Sequence, residues 1–114
     1  NGGAALAASG IDILVRLGAD RTSAQHGIAS LLRSVADNVD RVGVPHALTG
    51  PIVRGDAATV AQHRAALRAL GGPGLGAYDG IAEAILGCAI DAGLSEDAAR
   101  QVRSVLRSRE RAAH

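Results

Sequence analysis

The chain has 114 residues, enough for one domain with a small hydrophobic core, and we treat residues 1–114 as a single domain. Its twelve basic residues are all arginine and, with eleven carboxylates, leave a formal charge of +1, so no overall field would draw it to a polyanion. With one Tyr and no Phe or Trp, it also lacks the aromatic side chains on which nucleic-acid bases stack, and we expect no nucleic acid as partner.

Composition also bears on compartment and metal content. No run of about 18 uncharged apolar residues occurs, so we expect neither a membrane partner nor a signal peptide. A single cysteine, Cys88, cannot form an intramolecular disulfide, which favours a reducing compartment, and we expect a cytoplasmic protein. The four His and one Cys show no metal-ligand spacing, so no metal site is predicted.

The first half of the chain predicts two helices. Residues 2–18 are apolar or small on nearly every side, which predicts a helix surrounded by other protein and ended by Gly18. A Thr or Ser in the following turn is expected to cap a second helix, about Ser23 to Val42. The apolar residues of this helix fall on one face and are Ile28, Leu31, Leu32, Val35, Val39 and Val42.

The second half predicts three more helices. The third runs from Asp56 to Leu70, and its expected inward stripe is Val60, His63, Leu67 and Leu70. A glycine-rich loop leads to a fourth helix, about Tyr78 to Ala92, whose expected inward residues are Ile81, Ile85 and Cys88. Ser95 opens a fifth helix that continues into an arginine-rich tail. No segment alternates like a strand, so the predicted fold class is all-α with about five helices.

Two short motifs have structural explanations. The run Gly72 to Ala77 fits the G-x-G-x-x-A form of a dinucleotide fingerprint, but a helix precedes it and Pro73 occupies the turn, so we do not assign it to nucleotide binding. The tripeptide Arg54 to Asp56 matches an adhesion motif, yet Gly55 and Asp56 are explained by the start of the third helix. Arg54 is left without a structural role.

Two further patterns concern charged groups on helix faces. Asp56, Val60 and His63 share one face of the third helix, which places a carboxylate and an imidazole at the edge of one cleft. A histidine hydrogen-bonded within the fold is the structural alternative. A stripe on the last helix is interpreted as a solvated face rather than a phosphate site, and its members are Arg100, Arg103, Arg107 and Arg111.

Three stretches together resemble a known family: ALTGPIVRGD at 47–56, TVAQH at 59–63 and AYDGIA at 77–82. The run Leu-Thr-Gly-Pro-x-x-Arg-Gly-Asp, followed by a His seven residues after the Asp, is more specific than any of its parts. Over nearly its whole length the chain resembles the C-terminal helical domain (DUF2520) of Rossmann-like oxidoreductases. These enzymes are related to ketopantoate reductase, pyrroline-5-carboxylate reductase and 6-phosphogluconate dehydrogenase, whose C-terminal domain has a similar helical fold.

The resemblance implies an enzyme built in two parts. An N-terminal Rossmann domain outside this chain would hold NADP or NAD, while the helical domain would close the substrate cleft and form a homodimer. By the same resemblance, the candidate substrate-binding residues are Asn1, Thr49, Arg54 and Asp56. His63 is the candidate catalytic residue, as orienter or proton donor, since the catalytic lysine of the relatives has no counterpart in a chain without lysine.

Under this hypothesis the substrate is a small carboxylated carbonyl or imine compound, whose carboxylate Arg54 would bind in bidentate geometry. The domain alone should be inactive. A second hypothesis makes the chain a non-catalytic helical dimerisation module, in which the segment before the third helix only braces two helices. A third, adhesion through Arg54 to Asp56, requires an exposed and mobile tripeptide.

Overall fold

The computed structural model describes residues 1–108, and these residues form five α-helices and no strand. The helices are α1 (Gly2–Arg16), α2 (Arg21–Val42), α3 (Ala57–Leu70), α4 (Gly74–Asp91) and α5 (Glu96–Arg107). The all-α prediction with five helices is therefore confirmed. The tail residues Arg109 and Arg111, and the continuation of the fifth helix into them, lie outside the described residues.

The core lies where α3, α4 and α5 pack against one another. Its buried members are Ile52, Val60, Ala82, Leu86, Ala99 and Val102. Two of the six are alanines, and small side chains let helix backbones approach closely. Leu86, Val60 and Val102 are the largest side chains that are completely buried, so aliphatic packing fills the space that aromatic residues occupy in many domains.

The helices α1 and α2 form a hairpin that joins the core through α1, which packs on α4. The two hairpin helices meet at Gly10, where an added Cβ would lie 2.9 Å from Cδ1 of Ile28. The molecule measures 49 × 42 × 21 Å, and its radius of gyration of 15.0 Å exceeds the roughly 13 Å expected for a compact chain of this length. The projecting hairpin accounts for the flat shape.

Two helix boundaries differ from the prediction. α2 begins at Arg21, because Asp20 rather than a Thr or Ser caps it by accepting a hydrogen bond from the Ser23 N–H at 3.0 Å. α4 begins at Gly74, within the predicted glycine-rich loop. Gly74 is buried, and a Cβ there would lie 3.1 Å from Ile13 and 3.3 Å from Leu67, so close packing of α4 on α1 and α3 overrides the low helix propensity of glycine.

The apolar faces of the hairpin are exposed, contrary to the expectation that the first helix is surrounded by protein. α1 has no fully buried residue, and α2 has one, Ala24. On α2 the predicted apolar face is present but largely open, with Leu31 60% exposed. Other large apolar side chains exposed on the two helices are Leu6, Leu32, Val35, Val39 and Val42, and Leu17, directly after α1, is exposed as well. Within residues 1–108, α1 packs on α2 and α4, but these large side chains remain exposed.

The inward face of α4 is also rotated from the predicted one. Ile81 is exposed, and Ile85 and Cys88 are half-buried. The fully buried residues are instead Gly74, Ala82, Leu86 and Ala89. The inward face of α4 thus combines small residues with one large side chain, Leu86, and leaves the isoleucines at its edge.

Candidate functional site

A segment of 14 residues, 43–56, connects α2 to α3, and we call it the connector. It contains turns and no helix, as its glycines and prolines predict. Ile52, only 5% exposed, inserts into the core. Gly55 has φ +68° and lies against α5 and the turn before it, where an added Cβ would be 2.9 Å from Ala98 and 3.2 Å from Leu94. Two contacts therefore fix the end of the connector that precedes α3.

Arg54 lies between these two fixed points and is exposed. Its guanidinium makes no hydrogen bond or ion pair with any of residues 1–108. Its backbone is held nonetheless, because the Arg54 N–H donates to the Gly50 carbonyl at 3.3 Å. An arginine on a fixed backbone with its five donors unused can bind an external carboxylate or phosphate.

Asp56 caps α3, as predicted. Its Oδ1 accepts from the Thr59 N–H at 3.1 Å and its Oδ2 accepts from the Thr59 hydroxyl at 2.7 Å. These hydrogen bonds, the hydroxyl first and the backbone second, hold the pKa of Asp56 below its ordinary value of 3.8, and the positive fields of Arg54 and His63 lower it slightly more. Arg54 and His63 are therefore near enough to Asp56 to favour its charged form.

The tripeptide 54–56 does not have the form that an adhesion loop requires. Gly55 is packed against α5, and both carboxylate oxygens of Asp56 are used in the cap. Only Arg54 of the three presents its side chain free of partners within residues 1–108.

His63 is exposed, so the predicted inward stripe of α3 is wrong at this position. Its Nδ1 lies 3.4 Å from the Tyr78 hydroxyl on α4, and the two rings meet edge to face with centroids 6.0 Å apart. Arg64, the next residue, takes the inward position instead, with 7% of its surface exposed. The inward stripe of α3 is thus centred on Val60, Arg64 and Leu67.

The buried arginine is satisfied by α4 and by the end of α5. Nε and Nη2 of Arg64 donate to the two carboxylate oxygens of Asp79, each at 2.9 Å. Nη1 donates to the carbonyls of Val105 at 2.9 Å and Ser108 at 3.2 Å. Sequence reasoning missed Arg64 and Asp79. The available signal was an arginine at i+4 from the buried Val60, the spacing that places two residues on one helix face.

Tyr78 is half-buried and packs against the core. Burial raises the pKa of its hydroxyl above the ordinary value of 10.0, and the neighbouring Asp79 carboxylate raises it further. One side of Tyr78 lines an apolar groove of about 210 Å³ between α1, α3 and α4. The hydroxyl therefore stays protonated at neutral pH and can donate to His63.

Asn1 and Thr49 are exposed, and within residues 1–108 no side-chain hydrogen bond joins either of them to Arg54 or His63. Asn1 occupies the N-cap position of α1, but its side-chain amide makes no hydrogen bond to the backbone of the helix. A second apolar groove, of about 530 Å³, begins beside it between α1 and α4. Its lining residues are Gly2, Gly3, Ala5, Leu6, Ser9, Ala77, Gly80 and Ile81. This groove links the Asn1 end of α1 to the turn of α4 that carries Tyr78.

Most of the described arginines of α5 lie on a solvent-exposed face, as predicted. Arg100 and Arg107 are exposed, and Arg103 lies 3.8 Å from Glu83. In residues 1–108 no three His, Cys, Asp or Glu side chains are grouped so as to hold a metal ion. Every helix in the same part of the chain is too short or too polar to span a bilayer.

Fold and site together define a small all-α domain with an anchored, arginine-bearing connector and a helical hairpin that exposes large apolar side chains. The chain belongs to the family described as domain of unknown function DUF2520, whose profile matches residues 1–85. This match covers α1 to α3, the connector and most of α4, including every candidate site residue. Searches of the curated proteins and of the solved structures gave no match.

Proposed function

We propose that this domain forms one wall of the substrate cleft, and the dimer interface, of an NAD(P)-dependent oxidoreductase acting on a small carboxylated carbonyl or imine substrate. The observation that carries the proposal is the exposed Arg54, free of partners within residues 1–108, on a backbone fixed by Ile52 and Gly55. Because the Arg54 backbone is already fixed, only its side-chain torsions must be ordered when it binds a carboxylate, and the planar guanidinium matches carboxylate geometry, so it suits a substrate clamp.

In this proposal the connector and the start of α1 supply further polar groups to the cleft. Thr49 and Asn1 are hydrogen-bonding groups at exposed positions, and Asp56 holds the start of α3 through Thr59. His63 lies one to two turns along α3 from Asp56 and faces outward, where it can donate a hydrogen bond to a substrate carbonyl. Substrate would thus meet a cation before the start of α3 and an imidazole about two turns along it.

The nicotinamide nucleotide is assigned to another domain of the natural protein. The run Gly72–Ala77 does not fit a dinucleotide cradle, because Gly74 is buried against Ile13 and Leu67 and the run follows α3 rather than a strand. The residues described thus offer the nucleotide no phosphate-binding turn at this place. We therefore expect the helical domain to contact substrate and to leave the phosphates to its partner domain.

A homodimer is the proposed occupant of the exposed apolar faces. The exposed apolar side chains along α2 from Leu31 to Val42 form a ridge about 17 Å long at 1.5 Å per residue, within a helix of 22 residues. A contiguous row of exposed apolar side chains often marks an interaction surface on a soluble protein. Two copies of this ridge packed together would bury the faces without any further partner.

Nucleotide titration separates the proposal from its alternative. The natural protein that contains residues 1–114 and the isolated chain are each titrated with NADPH and NADH, followed by the fluorescence of the reduced nicotinamide. We expect saturable binding by the natural protein and none by the isolated chain. Absence of binding by both would overturn the oxidoreductase assignment, and binding by the isolated chain would overturn the division of roles between the domains.

The alternative, a non-catalytic dimerisation module, is favoured specifically by the exposed face of α2. It requires dimer formation but no nucleotide and no ligand at Arg54. The same titration, with the mass of each protein measured by light scattering, would then show a dimer that binds neither nucleotide.

A further inference from the structure

We propose that Tyr78 is a positioning residue for His63: its hydroxyl donates to Nδ1, which leaves the Nε2–H of His63 directed outward as the donor to a ligand. The part of this inference that concerns catalysis by His63 rests on the proposed function. Its structural part, the fixed tautomer of His63, can be tested without any assumption about substrate.

The register between α3 and α4 brings the two side chains together. His63 and Arg64 are consecutive on α3, and Tyr78 and Asp79 are consecutive on α4, so the two cross-helix pairs are both 15 residues apart. The Arg64–Asp79 pair has two hydrogen bonds of 2.9 Å, which fix both the height and the rotation of one helix against the other. That register places the Tyr78 hydroxyl beside His63.

The tyrosine ring is anchored more firmly than the histidine ring. Tyr78 packs against the core and lines the groove of about 210 Å³ together with residues that include Leu67 and Ile13. A half-buried aromatic ring held by two helices has few alternative rotamers. His63 is exposed, so without a partner its ring would rotate freely. The fixed group in this pair is therefore the tyrosine, and the group that it orders is the histidine.

The hydrogen bond runs from the tyrosine to the histidine. A protonated phenol is a good donor, and a neutral imidazole accepts through whichever nitrogen carries no proton. With Nδ1 3.4 Å from the hydroxyl, the bond is long, as such bonds often are before a ligand is bound. Donation to Nδ1 selects the tautomer with hydrogen on Nε2.

The structural test uses nitrogen chemical shifts of the histidine rings in the full chain, at a pH where the imidazoles are neutral. His26 and His46, both exposed and neither hydrogen-bonded to Tyr78, the one tyrosine of the chain, are internal controls. We expect Tyr78→Phe, which keeps the ring, to shift the tautomer ratio of His63 toward Nδ1–H by roughly fivefold, as for the loss of one ordinary hydrogen bond, and to leave both controls unchanged. An unchanged His63 ratio would overturn the inference.

The wild-type protein alone provides a second measurement, which does not depend on the folding of the variant. His63 should show a larger excess of the Nε2–H tautomer than His26 or His46 do. If all three rings have the same ratio, Tyr78 does not orient His63.

The catalytic meaning is tested in the natural protein with a double-mutant cycle. We expect Tyr78→Phe to lower kcat roughly tenfold with KM changed less than about twofold, and to have no further effect when His63 is already Gln. Additive effects would show that Tyr78 does not act through His63. An absence of nucleotide-dependent activity in the wild-type natural protein would instead defeat the proposed function, while the tautomer measurement would stand.

Discussion

Arg64 on α3 and Asp79 on α4 form a two-pronged ion pair, with Nε and Nη2 of the arginine each 2.9 Å from one carboxylate oxygen. The arginine is nearly buried, whereas the aspartate side chain keeps 32% of its surface exposed. The remaining amino group of Arg64 donates to carbonyls at the end of α5. A single side chain thus joins three helices and satisfies the backbone at a helix C-terminus.

Removing the carboxylate should therefore destabilise the domain. Asp79→Asn leaves a buried guanidinium with one neutral acceptor in place of two charged ones, and we expect it to lower the free energy of unfolding by about 3 kcal/mol. Urea denaturation followed by circular dichroism measures this change. The matched control is Asp97→Asn, since Asp97 pairs with Arg100 at the same 2.9 Å but both side chains are at least 70% exposed. Its effect should stay below about 1 kcal/mol, and equal losses in both variants would contradict a special role for burial.

Acid should weaken the start of α3 through Asp56. Because the folded-state pKa is depressed below 3.8, its stabilising effect is fully present above that pH. The effect is lost as pH falls through the lower folded-state value. Asp56→Asn still caps a helix but cannot titrate, so its melting temperature should fall less than that of wild type between pH 5 and about pH 2. Parallel melting curves at each pH check this, and identical pH dependence of the two proteins would show that Asp56 does not titrate with folding.

Gly55 should resist substitution for two separate reasons. Gly55→Ala places a Cβ 2.9 Å from Ala98 at a backbone φ of +68°, so it adds a clash to the strain of a left-handed conformation. We expect a loss of about 2–4 kcal/mol in the free energy of unfolding, measured by urea denaturation. Gly50→Ala is the control, because Gly50 also has positive φ but open space around it. It should cost only the strain, about 1–2 kcal/mol, and equal costs would argue against packing of the connector on α5.

Charge on the ridge of α2 should dissociate the proposed dimer without unfolding the domain. Leu31→Glu places a carboxylate at a position that is 60% exposed in the single chain, so the monomer should tolerate it. We expect the dimer dissociation constant to rise by roughly 100-fold, as for loss of one buried leucine together with burial of a charge. Sedimentation velocity over a range of concentrations measures this constant.

Arg33→Glu is the control for that experiment, because Arg33 is exposed on the other side of the same helix and changes charge without touching the ridge. The dimer should survive it. A monomeric wild-type chain at high concentration, or a Leu31→Glu variant that dimerises normally, would show that another surface or another partner covers α2.

Sequence patterns predicted the helix content well because burial periodicity and turn residues are local signals. The cap by Asp56 and the break at Gly43 and Pro45 followed from such signals. The position of Gly74 inside α4 did not, because its helical state depends on contacts with Ile13 and Leu67 that only the tertiary fold supplies.

The candidate site was predicted unevenly for the same reason. The turn and cap explained Gly55 and Asp56 but left Arg54 without a structural role, and the structure leaves its side chain exposed. The sequence analysis placed His63 on the inner face of α3, whereas Arg64 lies there. A charged side chain is rarely predicted to be buried unless the group that neutralises it is known. Asp79 lies 15 residues away, beyond the reach of helix periodicity.

The clamp role of Arg54 is tested most directly by steady-state kinetics of the natural protein with small oxo-acid substrates. Loss of a charge-assisted pair of hydrogen bonds should raise KM by roughly 10- to 100-fold in Arg54→Ala, with little change for analogues that lack the carboxylate. Arg100→Ala, which removes an exposed arginine from α5, should leave KM unchanged. If Arg54→Ala reduces every carboxylated substrate with an unaltered KM, the connector does not line the substrate cleft.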